Sequence, residues 1–246
     1  MKSFTVSLAG VPIGIRPRTA EMRWFFRDYV CEDAPVFSVA AEDRDLQREQ
    51  ALYQRRNRTD ASPELPEPLL EETALLRLIA EKLPAYDTVL FHGSVLAVEG
   101  KAVLLAARSG TGKTTHTRLW LQQLPQAHVL NGDKPFLRLE ADGGVLACGT
   151  PWCGKEGIGR NESLPLEAIL FLDRAKVNRV VPMSPQEATK ALIQQLYLPE
   201  GAAGLQTVRV LDGVIRRTRL FHMHCNMEAD AAKLSIRAVF GQNGSG

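Results

Sequence analysis

The chain has 246 residues, 45% of them hydrophobic and 24% charged, with 30 basic against 28 acidic side chains and a formal net charge of +2. This is an ordinary globular composition, long enough for one sizeable α/β domain with a smaller addition. The balanced charge gives no case for a nucleic-acid or membrane-surface partner, and no apolar run approaches the ~18 residues that span a bilayer.

Phe4, Val6 and Leu8 alternate with polar or small residues, which predicts a strand, and residues 11–15 read as its return across a turn at Ala9-Gly10. The opening segment, MKSFTVSLAGVPIGIRP, carries one lysine, a short apolar stretch and no convincing cleavage site, so it reads as strand and not as a secretory leader. Residues 18–29 read as helix, 35–40 as strand and 43–57 as a polar helix or loop. TDASPELPEP, with three prolines, reads as a linker or exposed loop. Leu69, Leu70, Leu75, Leu76, Leu78, Ile79 and Leu83 form a helical stripe, and Pro84 ends it.

The texture changes from Thr88. Residues 89–91, 95–98 and 102–106 are short apolar runs, the last two joined by a tight turn at Glu99-Gly100-Lys101. A helix is predicted over 113–124, a strand over 128–130, and a hairpin from 135–139 to 145–148 around Gly143. A strand over 167–172 follows the Gly-rich segment GTPWCGKEGIGRNES. Ser184 with Pro185 and Glu187 predicts a helix start, running to 197. Helical spacing over 205–215, a strand over 218–225 and a helix over 228–240 complete the chain. The hairpins around Gly100 and Gly143 predict a mixed α/β sheet. The expected organisation is an α+β addition over 1–85, the main domain over 86–240 and a disordered tail over 241–246. Four scattered cysteines suit reduced thiols in a cytosol.

One stretch carries chemistry. Ala107-Arg108-Ser109-Gly110-Thr111-Gly112-Lys113-Thr114 fits the phosphate loop G-x-x-x-x-G-K-[ST], with alanine at the first position and a strand and helix on either side. Glycines let several N–H groups point into one concavity, and the helix N-terminus adds positive potential. Lys113 would reach the β- and γ-phosphates, Thr114 would ligate Mg²⁺, and Thr115 would bond a nearer phosphate. A loose match of this kind arises by chance roughly 0.02 times in a chain this long, from average residue frequencies. A Gly-rich helix cap would show the same glycines. The metal also needs a carboxylate at the end of a neighbouring strand, and Asp133 sits just past 128–130. An ordinary Asn-Gly-Asp turn would look the same.

HGSVLAVEGKAVLLAARSGTGKTT, followed by NGDKPF, resembles the catalytic core of the HPr serine kinase/phosphorylase group, which shares its nucleotide fold with ATP-dependent phosphoenolpyruvate carboxykinase. The likeness spans roughly residues 91–240, and GTPWCGKEG looks like the loop of small kinase-like relatives, some of which phosphorylate a peptide serine. The resemblance implies ATP and Mg²⁺ as cofactors and a hydroxyl-bearing acceptor in a peptide, protein or metabolite. It implies that His92 lies close to the phosphates and assists transfer. The group has paired aspartates where this chain has Gly132-Asp133, so Asp133 would serve metal, base or both by turns. The resembling kinases assemble as homo-oligomers.

Lys155, in a strand-end loop, is a candidate for neutralising charge on a transferring phosphoryl group, or a solvated lysine. Arg160 and Arg174 are candidate phosphate clamps, though each reads more readily as a surface arginine. His222 and His224 share one strand face, with only two ligands for a metal. His116, one turn past Lys113, would either approach a nucleotide or pack beneath the loop, and Trp152 would stack on a base or anchor its own loop. The function expected is that of a cytoplasmic Mg-ATP-dependent kinase with His92, Asp133 and Lys155 as catalytic residues and residues 109–115 around the nucleotide. The alternative is a nucleotide-binding regulatory or partner protein. An enzyme of the carboxykinase type is disfavoured by the short chain.

Overall fold

A computed structural model describes residues 1–57, 64–108 and 110–241, so expectations at 58–63, at Ser109 and at 242–246 lie outside the described residues. The chain divides into two compact units, Met1–Tyr86 and one beginning at Asp87. In the first, β1 (Phe4–Leu8) and β2 (Val11–Ile15) form the expected antiparallel hairpin. Helix α1 (Glu21–Phe25) follows, then β3 (Val30–Cys31) beside β1 and β4 (Phe37–Val39) beside β2. The expected helix over 18–29 is therefore shorter. Phe26 leaves the helical region and Arg27–Tyr29 forms a 3₁₀ turn, which buries both Phe26 and Tyr29. The polar segment is helix α2 (Asp43–Asn57), and the leucine stripe is α3 (Glu67–Lys82). Its Arg77 pairs with Asp45 and Glu49 of α2, each at 2.7 Å.

The second unit holds β5 (Thr88–Leu90), β6 (Ser94–Val98), β7 (Lys101–Ala107), α4 (Lys113–Gln123), β8 (His128–Asn131), β9 (Phe136–Leu139) and β10 (Val145–Cys148). It continues with β11 (Ser163–Arg174), β12 (Arg179–Pro182), α5 (Pro185–Leu192), α6 (Gly201–Arg217), β13 (Arg219–Cys225) and α7 (Ala229–Phe240). The sheet is mixed, in the order β5-β9-β10-β11-β7-β6-β8, with β13 also on β11 and β12 on β13. β11 runs parallel to β7 and β13, while the hairpin partners are antiparallel.

β11 joins the two parts of this sheet. Residues 163–165 pair with β10, and the rest runs between β7 and β13. Strand alternation sends its side chains into two cores. Ile169 and Phe171 pack with Leu192 of α5 and Val210 of α6. Ala168, Leu170 and Leu172 pack with Trp120 of α4 and Ala232 of α7. β11 extends beyond the expected 167–172 because its ends are paired, residues 163–165 with β10 and residues 173–174 with β13. Ser184 caps α5 through a capping box with Glu187. The helix stops at Leu192 instead of running to 197, because the chain is drawn onto the sheet. Tyr197 N–H donates to Leu90 O at 3.0 Å, and Gln195 O accepts from His92 N at 2.6 Å.

Candidate functional site

β7 is buried up to Ala107, and α4 begins at Lys113. Between them Gly110 (φ +75°) and Gly112 (φ +116°) occupy the left-handed region, which a side chain at either position would strain. Arg174, at the end of β11, holds the turn from outside: its Nη2 donates to Gly110 O at 2.5 Å and its Nε to Thr111 O at 3.2 Å. A trans peptide opposes its C=O and N–H, so fixing the Thr111 carbonyl turns the Gly112 N–H to the other side. No side chain caps α4, and its first amides are left for another acceptor.

His92 and Asp133 are brought together by the β5–β9 pairing carried one step beyond the strands. Phe91 N donates to Pro135 O and Gly93 N to Asp133 O, each at 3.0 Å. His92 Nε2 then lies 3.2 Å from Asp133 Oδ1, and Lys113 Nζ lies 3.5 Å from the same ring nitrogen. Lys113 Nζ also donates to Ala107 O at 3.4 Å, and Lys134 Nζ lies 3.8 Å from Asp133 Oδ2. Burial alone would raise the Asp133 pKa; the His92 hydrogen bond and the charges of Lys134, His92 and Lys113 outweigh it and hold the carboxyl below its ordinary value. Burial, assisted by Lys134, lowers the Lys113 pKa against the pull of Asp133. A carboxylate lowered beneath 3.8 contributes stability that is complete above that pH and is lost as pH falls through the lowered value. Below pH 3.8, therefore, the wild-type chain is expected to lose stability more steeply than Asp133→Asn in denaturant titrations. Parallel profiles would contradict this.

The Asp133 segment is wired by Asn131, which is fully buried. Its Oδ1 accepts from the N–H groups of Asp133 at 2.9 Å and Lys134 at 2.8 Å, and its Nδ2 donates to Thr150 O at 3.1 Å and Thr150 Oγ1 at 3.0 Å. Asn131→Ala strips partners from buried groups and is expected to cost ~1–3 kcal/mol in equilibrium unfolding with an unchanged m value. Loss of less than ~0.5 kcal/mol would show that these bonds are replaced by water. Sequence reasoning missed this role, although an Asn two residues before the acid is the mark of an Asx turn.

The loop after β10 forms the facing wall. Gly154 (φ +74°) passes so close that a Cβ there would sit 2.9 Å from Asp133 Cβ. Trp152 is buried and anchors this loop. Arg118 pairs with Glu156 at 2.7 Å, while Lys155 is exposed on the cleft wall. Burial, with the Asp133 charge adding to it, pushes the Cys153 thiol up to about 11.

The result is a cleft of about 640 Å³ that brings together His92, Lys113, Thr114, Thr115, Asp133 and Lys155, with Gly110, Thr111 and Gly112 along one side. Ser109 lies outside the described residues. The charged lining is Arg108, Lys113, Lys155 and Arg174 against Asp133 and Glu156, and Arg118 already neutralises the latter. The cleft therefore favours an anion. Arg160 is exposed and is not among the lining residues. His116 is buried against Ser235 Oγ at 3.0 Å, and burial pushes its pKa down to about 4. His222 pairs with Asp173 at 2.8 Å beside His224; among the described residues no group of three or more His, Cys, Asp or Glu is arranged to hold a metal ion.

The fold and cleft define an α/β protein with an electropositive hollow at the carboxyl ends of its parallel strands. The family model described as SynChlorMet cassette protein ScmC matches residues 66–232, and the chain belongs to that family. No curated protein matches it. Among solved structures it is similar to the Hpr(Ser) kinase/phosphatase from Coxiella burnetii, with 11% identity and a TM-score of 0.37 over 63% of this chain and 99% of that one. A likeness at that score bears on neither mechanism nor substrate. No described helix is long and apolar enough to cross a membrane.

Proposed function

We propose that the protein is a cytoplasmic Mg-ATP-dependent phosphotransferase that moves the γ-phosphoryl group to a hydroxyl acceptor, a serine in a peptide or protein or an alcohol of a small molecule. The observation that carries this reading is the chain of contacts from Lys113 through His92 to Asp133, set at the uncapped start of α4. The glycine turn and the first amides of α4 form the phosphate loop in this reading, with Lys113 between the β- and γ-phosphates.

Mg²⁺ fits the donors present: the Thr114 hydroxyl and the Asp133 carboxylate are hard oxygen ligands on the same cleft, and Asp133 is held ionised. The ion would neutralise charge on the β- and γ-oxygens. His92 keeps Asp133 oriented, and either group accepts the proton of the acceptor hydroxyl. Lys155 screens the transferring group from the facing wall. The protein mostly positions groups and neutralises charge, as such transfers require.

Transfer of labelled γ-phosphate from ATP, measured with a panel of serine peptides and small alcohols, tests the reading; a Mg²⁺-dependent labelled product is expected. The single acid on the metal side supports a second reading, a nucleotide-binding partner protein. Tight ATP binding without product across the panel would favour it.

A further inference from the structure

A second cavity of about 500 Å³ opens at the ends of β11 and β13, beside the first. Thr111, Gly112, Thr115, Arg174 and Met227 line both. The two lie on opposite flanks of the glycine turn. On one edge of β7 come β6 and β8, which lead to Asp133; on the other come β11 and β13, which lead to Ala175 and to Asn226-Met227. A triphosphate whose terminal group faces His92 and Asp133 therefore directs its other end toward β13.

The walls there differ in character. Ala175, Cys225 and Met227 add apolar surface beside Arg174 and Lys176, no carboxylate among the described residues lines this cavity, and the guanidinium of Arg174 is engaged by loop carbonyls. Met227 is 72% exposed at the rim, where a thioether meets an aromatic face favourably. Asn226 Oδ1 accepts the Glu228 N–H at 3.1 Å, and its amino group has no partner among the described residues. Apolar side chains beside an unused donor suit a heteroaromatic ring with acceptor nitrogens on its edge.

We infer that this second cavity holds the adenine and ribose of ATP, with Met227 against the face of the base and the Asn226 amino group on its edge. The inference rests on the reading of the glycine turn as a phosphate loop.

Filling the cavity tests it. Ala175→Trp should weaken Mg-ATP binding about tenfold or more in calorimetry, while binding of inorganic tripolyphosphate with Mg²⁺ stays at the wild-type level. Unchanged ATP affinity in a folded Ala175→Trp protein would overturn the inference. Failure of the wild-type protein to bind tripolyphosphate would overturn the phosphate-loop reading, and this inference with it. Should Ala175→Trp not fold, photolabelling of the wild-type protein with 2-azido-ATP and 8-azido-ATP decides. Attachment within 174–176 or 225–227 supports the site, and attachment within 152–158 overturns it.

Discussion

Lys113→Ala is expected to lower nucleotide turnover about 100- to 1,000-fold, the range seen when one preorganised charge donor is removed from a transfer site. The fold should survive it. The ammonium is half-buried between Ala107 O and the His92 ring, and its charge is opposed both by burial and by Lys134. Truncation removes a group that folding does not favour in its charged form, so unfolding free energy should change by less than about 1 kcal/mol. Circular dichroism melting alongside the turnover assay checks both halves. Full turnover in the variant would end the kinase assignment, and collapse of the fold would show that the lysine is structural.

Asp133→Asn is the second large effect. Asparagine keeps the shape and can still accept from His92 through its side-chain oxygen, so positioning is largely retained. The negative charge is lost. Turnover should fall about 100-fold or more, and the Mg²⁺ concentration for half-maximal rate should rise. ATP binding without metal should hold or tighten, because a negative group beside the phosphates has gone. An unchanged Mg²⁺ requirement would remove Asp133 from the metal site and leave it, at most, the role of base.

The strand, the glycine turn and the helix from residues 101 to 123 are legible because everything that shapes them is contiguous: an apolar run, two left-handed glycines, then the Lys113-Thr114 start of the helix. The β1–β2 hairpin is legible for the same reason, through strict alternation about Ala9-Gly10. What holds the site together is written elsewhere in the chain. Arg174 reads as a surface arginine until β11 is seen to lie beside β7, and nothing near Gln195 announces that its carbonyl takes the His92 N–H. The true end of α5 and the length of β11 were hidden for a related reason, since pairing with residues distant in the sequence overrides helical periodicity in one and extends the other at both ends. β3, of two residues, is too short to show a period.

That dispersal has a kinetic consequence. Residues 91–93 need residues 133–135, β7 needs β11, and β11 needs β13, so most of the loops that must close to form the hollow are long. Such closures are slow and mutually dependent. A ribosome-bound chain synthesised only to residue 218 has the glycine turn and Asp133, yet lacks the strand against which Arg174 and the end of β11 come to rest. On the proposed function, nucleotide engagement therefore waits until β13 has been made and has paired with β11.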